Sequence, residues 1–305
     1  MSHVLSYVVP TKDHPDDLLK MLSSLTNQTR LPDQVVVVDG SEPPVHWICE
    51  QFTELPLTYV REFPPSLARQ RNAGMAAVRA DATLAGYLDD DLVLEPEATE
   101  KLLAFFEAAP AEVGGAAMTI INQGQVGRAG LLRFFGMYGD PPGRVLPSGF
   151  PVWIPFTEVT LQTEWLYGGA TIWRREVIRE FSYDEWYIGY GFLEDLDYSY
   201  RVSRKYRLYV LGDSRTWHFS QLPHPSRQFA LGRQQVVNRL YFVRKMGGFS
   251  RLAVAWALLG QMTMNLLAGL VNPKAKGYMR FLGNLAGLGA VAMGRKSSFG
   301  GHWKK

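Results

Sequence analysis

The sequence predicts an α/β fold with a mostly parallel central sheet, followed by a C-terminal helical extension. Three observations carry this expectation. Short apolar strands alternate with helix-period segments through the first half, each of those strands ends in polar residues, and a long charge-free stretch lies late in the chain. With 305 residues, 47% hydrophobic and 20% charged, the chain has enough apolar material for one large domain or two small ones. That composition excludes a disordered chain, and a single cysteine excludes a disulfide miniprotein.

The elements follow in order. Val4 to Val9 reads as a strand stopped by Pro10, so no secretory signal is expected at this end. Leu18, Leu19, Leu22 and Leu25 recur at helical spacing behind acids that suit a first turn. Gln34 to Val38 is a second strand, ending in Asp39-Gly40-Ser41, and Thr58 to Val60 a third. Ser66 to Arg79 follows as a helix, and Leu84 to Leu88 as a fourth strand that runs into three aspartates. In an open parallel sheet the C-terminal strand edge is where ligands bind. Glu97 to Ala108 is then expected as a helix and Val113 to Ile121 as a strand. Residues 122–160, rich in glycine, proline and aromatics, read as a long excursion over the ligand edge. Regular structure resumes with a helix at Glu194 to Lys205 and a strand at Tyr206 to Leu211.

Charge divides the chain. Residues 1–213 carry 18 Lys+Arg against 29 Asp+Glu, a net −11, whereas residues 214–305 carry 14 Lys+Arg and no acid, a net +14. An acid-free basic segment seeks an anionic partner: nucleic acid, a phosphate-bearing ligand or an anionic membrane face. Within it, Leu252 to Val271 is 20 residues without a charge, interrupted by Gln261, Thr263 and Asn265, and Phe281 to Met293 is a second apolar segment. Arg251, Lys274, Lys276, Arg280, Arg295 and Lys296 flank both. A spanning hairpin would place some of these cations on the disfavoured side, whereas helices lying in the interface keep them all near headgroups. Surface attachment is therefore the expectation, with a pair of core or dimer-forming helices as its rival. Cys49 is expected as a buried small hydrophobe, consistent with a cytoplasmic chain.

Four features could carry chemistry. Asp89-Asp90-Asp91 crowds three carboxylates after an apolar strand, which calls for a divalent cation held by oxygen or else marks a solvated loop. Glu194-Asp195-Leu196-Asp197 opens a helix, where acids serve either the helix dipole or general base catalysis. His218, in Thr216-Trp217-His218-Phe219, is a metal ligand or an ordinary histidine. Ala68-Arg69-Gln70-Arg71-Asn72 starts a helix with groups suited to a diphosphate, although an ordinary amphipathic helix reads the same way.

In this order the features resemble the family 2 glycosyltransferases of the bacterial surface-polysaccharide type. The likeness runs from about Val4 to Met246 through Val9-Pro10-Thr11, Val38-Asp39-Gly40-Ser41, Ala68 to Gly74, Tyr87 to Asp91, Gly168-Gly169-Ala170 with Arg174-Arg175-Glu176, Glu194 to Asp197 with Arg201, and His218. It implies a GT-A (nucleotide-diphospho-sugar transferase) catalytic domain over residues 1–246 and leaves 247–305 as a basic, apolar, membrane-associating helical tail. By the same resemblance Pro10, Thr11 and Asp39 would hold the base and ribose, and Arg71 would lie close to the nucleotide or its diphosphate. Asp89 would contact mainly nucleotide and also metal, Asp91 mainly metal, and Asp90 would belong to the nucleotide site. Gly169 and Ala170 would lie near the donor sugar, Glu194 near the acceptor, and Asp195 would be the catalytic base. His218 would be a metal or diphosphate ligand. The implied cofactor is Mg²⁺ or Mn²⁺.

The implied reaction is a single, inverting displacement of a nucleoside diphosphate by an acceptor hydroxyl, in which Arg71 and the metal neutralise the departing charge. The acceptor is expected to be a lipid-linked or growing glycan in cell-surface polysaccharide synthesis, with the enzyme peripheral on the inner face of the cell membrane. Trp165, Trp186 and Tyr187 are candidates for stacking on acceptor sugars, or else anchors of core and loops. No nucleic acid is expected as a partner, because the tail's apolar runs do not interleave charge with aromatics. A nucleotidyltransferase is the rival enzyme, and it would need a glycine-rich phosphate loop that does not follow the first strand. Two rivals of another kind are a nucleic-acid-binding protein that uses the basic tail and a non-catalytic relative of the family.

Overall fold

A computed structural model of the chain describes residues 3–124, 126–127, 129–189, 191–220, 224–272, 274 and 276–294. Arg295, Lys296 and the rest of the basic terminus lie outside the described residues. The chain divides into two compact units: Met1–Gln125, Ile154–Glu185 and Gly189–Ser220 form the first, and Val126–Trp153, Trp186–Ile188 and Gln221–Lys305 the second.

The first unit is built on one nine-stranded sheet. β1 (Leu5–Thr11), β2 (Gln34–Asp39), β3 (Leu57–Arg61) and β4 (Leu84–Leu88) pair in parallel in the order β3-β2-β1-β4. β1 continues through Pro10, which sits opposite Val38, so proline does not end the strand as its chemistry suggests. Helices bury the sheet's face. α1 (Pro15–Thr26) starts with proline in its first turn and with Asp16 and Asp17 at its positive end, then turns Leu18, Met21, Leu22 and Leu25 inward against Leu5, Val35 and Val37. Short α2 (His46–Cys49) leaves Cys49 half-buried beside this core, where burial pushes its thiol up to about 11. α3 (Leu67–Ala76) packs on β1 and β2, and α4 (Ala98–Ala108) covers the far half through Leu102 and Phe106.

The second half of the sheet mixes directions. β5 (Leu92–Leu94), β6 (Val113–Ile120), β7 (Leu161–Thr163), β8 (Ala170–Arg174) and β9 (Arg207–His218) complete it, with α6 (Arg175–Glu180) and α7 (Glu194–Ser203) between the last strands. β8 runs antiparallel between β4 and β6, so its first residue, Ala170, pairs with Leu88 at the same edge as the aspartates. β9 runs parallel to β6 on both sides of a register shift between the pairs Met118–Leu211 and Thr119–Arg215, and its end also pairs antiparallel with β5 so that His218 stands opposite Leu92. This bulge lets β9 run past the expected Leu211 to the ligand edge.

The second unit is helical: α5 (Ala129–Phe134), α8 (Gln228–Met246), α9 (Arg251–Val271) and α10 (Gly277–Ala292). The excursion expected over residues 122–160 contributes its middle part to this unit.

One buried carboxylate anchors the loop after β2. Asp39 is fully buried and accepts from Ser41 N (2.7 Å), Val45 N (2.8 Å) and Tyr59 Oη (2.5 Å), with Arg61 Nη1 at 3.2 Å. Burial alone would raise its pKa, but the donors from Tyr59, Val45 and Ser41 together hold it below the ordinary carboxylate range. Its stabilising share is therefore complete above the unfolded-state pKa of about 4 and lost as pH falls through the depressed native value. Asp39→Asn is expected to cost about 1–3 kcal/mol at pH 7, by leaving donors unmatched. In urea melts of the variant and wild type, the gap should close as pH falls below about 4.

Candidate active site

The C-terminal edge of the parallel strands collects the acids. Pro10 and Thr11 are buried at the end of β1, and Thr11 Oγ1 donates to Asp90 Oδ2 at 2.6 Å. Gln70, buried on α3, donates to the carbonyls of Thr11 (2.9 Å) and Val38 (3.0 Å), clamping the ends of β1 and β2 together. Burial, with Asp91 and Asp89 adding to it, pushes Asp90 up to about 7 against the opposing Thr11 hydrogen bond. Asp90 is thus reluctant to ionise.

Asp89, Asp91 and His218 each offer one ligand atom, and these atoms lie within 4.8 Å of one another. His218 Nε2 is 3.1 Å from Asp91 Oδ1. Burial favours the neutral imidazole, but the carboxylates of Asp91, Asp89 and Asp90 outweigh it and raise the His218 pKa. Asp91 Oδ1 is shielded from water and accepts no well-aligned hydrogen bond. An orphaned carboxylate oxygen beside a second carboxylate and an imidazole fits a divalent cation with mixed oxygen and nitrogen ligands. These three residues therefore fit Mg²⁺ or Mn²⁺.

A single guanidinium joins this cluster to the second acidic group. Arg71 is 1% exposed, and it donates from Nη2 to Asp89 Oδ1 and from Nη1 to Glu194 Oε1, each at 3.1 Å. Its Cζ also lies 5.0 Å from the ring centre of Tyr183. Burial works against its charge, but Tyr183 and the carboxylates of Asp89, Glu194 and Asp195 keep it firmly protonated. The resemblance set Arg71 close to the nucleotide; in the structure its side chain is enclosed and its Nη atoms are engaged by carboxylates.

Two glycines make this possible. A Cβ on Gly168 would stand 2.7 Å from Arg71 Nη1, and one on Gly169 would collide with the Asp89 carboxylate. Gly169 O also accepts from Asp89 N at 2.8 Å, so the aspartate is held at backbone and side chain alike. Ala170 follows as the buried first residue of β8.

The chain reaches α7 under strain. Phe192 (φ 77°) and Leu193 (φ 73°) are both in the left-handed region immediately before Glu194, at a cost of about 1–2 kcal/mol each. Glu194 is buried and Asp195 half-buried, with Leu196 N donating to Asp195 Oδ1 at 2.7 Å. Burial is the main cause that raises the pKa of both, ahead of their charged neighbours, while Arg71 opposes it in each. A carboxylate with raised proton affinity suits a general base near neutral pH.

Trp165 is buried in the first unit, whereas Trp186 and Tyr187 belong to the second; there Trp186 stacks on Tyr241 with ring centres 3.7 Å apart. Gln70, Tyr59 and Tyr183 were not singled out from the sequence. Nothing in their local spacing distinguishes them, since their partners lie 20 to 111 positions away.

Comparison with known proteins agrees with this architecture. An uncharacterized glycosyltransferase of Haemophilus influenzae is 33% identical over 108 residues, 35% of this chain and 36% of that protein. The O-antigen biosynthesis protein RfbC of Myxococcus xanthus is 30% identical over 191 residues, 59% of this chain and 14% of that protein. The chain thus spans about a third and about a seventh of the lengths of these curated relatives. Among solved structures, the mannosyltransferase PcManGT from Pyrobaculum calidifontis, in complex with GDP-Man and Mn²⁺, shares the fold with a TM-score of 0.57. That match is 14% identical and covers 94% of this chain and 88% of the other. The family described as "Glycosyl transferase family 2" matches residues 6–156, from β1 past the aspartates into the excursion, and that stretch of the chain belongs to the family.

Proposed function

We propose that this glycosyltransferase moves a sugar from a nucleoside-diphosphate donor to an acceptor hydroxyl in one inverting, metal-dependent step. The observation that carries this reading is the bridge through Arg71, which ties the metal-type trio of Asp89, Asp91 and His218 to the Glu194-Asp195 pair within one cluster. Its physical content is that donor-side and acceptor-side acids are held together by one buried cation. The solved relative with GDP-Man and Mn²⁺ supports a nucleotide-sugar donor and a divalent metal.

In this reading Asp89, Asp91 and His218 hold Mg²⁺ or Mn²⁺, which when bound neutralises charge developing on the departing diphosphate. Asp195 accepts the proton of the acceptor hydroxyl as that oxygen attacks the anomeric carbon. Displacement from the opposite face inverts the centre, and no enzyme nucleophile is needed. Glu194 lies on the acceptor side and is oriented by Arg71. Pro10, Thr11, Asp39 and Asp90 shape the nucleotide end: Asp39 sets the loop after β2, and Thr11 fixes Asp90. The name of the O-antigen relative supports a part in cell-surface polysaccharide synthesis; a glycan or lipid-linked acceptor and a place on the cytoplasmic face of the membrane complete the proposal.

Two experiments test this. Asp195→Asn should lower turnover of a matched nucleotide sugar by about 10²–10⁴-fold while leaving donor affinity, read by calorimetry, near the wild-type value. Loss of donor binding together with turnover would mean that Asp195 serves the donor site instead. His218→Ala should weaken Mn²⁺ affinity at least about tenfold, measured by metal titration in the presence of nucleoside diphosphate. Release of pyrophosphate rather than nucleoside diphosphate would replace glycosyl transfer by nucleotidyl transfer.

A further inference from the structure

The helical unit joins a polar, glycine-lined helix crossing to apolar outward faces. Its outward faces are apolar: Leu252, Leu259 and Leu270 on α9 and Leu282, Leu285 and Leu288 on α10 are all exposed, at spacings that keep each set on one side of its helix. Beside apolar clusters of Val236, Val254 and Leu258 and of Phe135, Met137, Phe150 and Ala257, the crossing of α8, α9 and α10 is small and polar. A Cβ on Gly232 of α8 would collide with the Arg280 carbonyl, and one on Gly283 of α10 with the Phe229 carbonyl, so these two backbones touch. Asn284, fully buried, donates to Gly232 O (2.7 Å) and Gln235 Oε1 (3.2 Å). Asn265 of α9 donates to Asn284 Oδ1 (2.8 Å) and Gln235 Oε1 (3.0 Å).

A bundle stabilised in water by the hydrophobic effect places leucine inside and amides outside. Close glycine-mediated backbone contact, interhelical amide bonds and outward leucines are instead how helices associate where the surroundings are hydrocarbon. We propose that the outward face of the α9–α10 hairpin is buried in the acyl layer of one leaflet of an anionic bilayer. This deepens the membrane placement proposed above by naming the surface and the mode.

Charge selects lipid over a second copy of the chain. Arg251 opens α9, Lys274 and Lys276 lie in the turn, Arg280 is in the first turn of α10, and no acid follows Asp213. The same hairpin of a second copy, packed face to face, brings more cations and no carboxylate to meet them, whereas anionic headgroups complement both ends of the hairpin. Length selects lying over spanning. α9, with 21 residues, is long and apolar enough to cross a membrane, but α10 has 16, about 24 Å against a bilayer core of about 30 Å. With cations at both ends of α9, an in-plane hairpin keeps every one of them at the headgroups.

Flotation of the full-length protein with vesicles of equal parts phosphatidylglycerol and phosphatidylethanolamine tests the proposal, with phosphatidylcholine vesicles as comparison. The protein should float with the anionic vesicles and stay bound through a wash in about 1 M salt, which removes purely electrostatic attachment. Leu259→Glu and Leu285→Glu should each lower partitioning at least about tenfold, whereas Leu259→Trp should bind as well as wild type. Both leucines are exposed, so folding is preserved, and unchanged turnover of soluble nucleotide sugar by the variants verifies it. Complete release by salt, equal flotation of the glutamate variants, or a soluble dimer that does not float would each overturn the proposal. Flotation without any nucleotide-sugar turnover would instead overturn the glycosyl-transfer reading and leave this one standing.

Discussion

Everything at the catalytic edge depends on the buried guanidinium of Arg71. Asp89 and Glu194 lie 105 positions apart in the chain, and each is attached to one arm of the same cation. Without it, the half-buried aspartates and the Glu194-Asp195 pair would meet at a partly enclosed edge, where like charges repel more than in open water. Removing one partner of such a buried network costs about 3–5 kcal/mol, more than the net strength of an exposed ion pair by a wide margin. Several local features follow from that requirement. α3 must deliver an arginine to the interior, Gly168 must leave room for it, and Gly169 must leave room for the carboxylate it holds. The two left-handed residues before α7 are the strain accepted to bring Glu194 to the other arm.

The sheet topology explains how residues so distant in sequence reach one edge. The first four strands are parallel, so each ends on the same side, with Thr11, Asp39 and the aspartates as their terminal or following residues. β8 is reversed, and only for a reversed strand does the residue at its start, Ala170 with Gly169 before it, arrive at that edge. β9 solves the opposite problem. It enters parallel to β6, passes the register shift, and carries His218 onward to stand across from β5 and next to Asp91. A strand ending at Leu211 would leave the histidine in a loop and the trio of possible ligands incomplete.

How much of this was legible in the sequence follows from the range of each interaction. The strands and α1 were readable because their hydrophobic period and turn residues lie within a few positions of one another. The three aspartates, the Glu194-Asp195 pair and His218 could be picked out because chemistry of that kind is compositional, and their order pointed to a family that the fold and the match over residues 6–156 bear out. What could not be read was pairing. Nothing near Arg71 says that its partners are 18 and 123 positions away, and Asp39 looks like a free acid until Tyr59 and the loop amides are seen to occupy it. β9 was cut short for a related reason: Gly212-Asp213-Ser214 has the composition of a turn, and only its neighbour β6 makes it a bulge. The same limit applies to Trp186, whose stacking partner Tyr241 lies 55 positions downstream in the helical unit.

The division of charge gains its meaning from these two structures together. An acid-rich stretch is a poor host for a doubly anionic diphosphate unless a cation comes with it, so the −11 of residues 1–213 accords with the proposal of a metal-dependent donor site. The acid-free remainder has no comparable cluster among its described residues; Arg251, Lys274, Lys276 and Arg280 lie about the ends of α9 and α10, whose leucines are exposed. As proposed above, the basic segment serves a different anionic surface, one that also offers hydrocarbon to its exposed leucines.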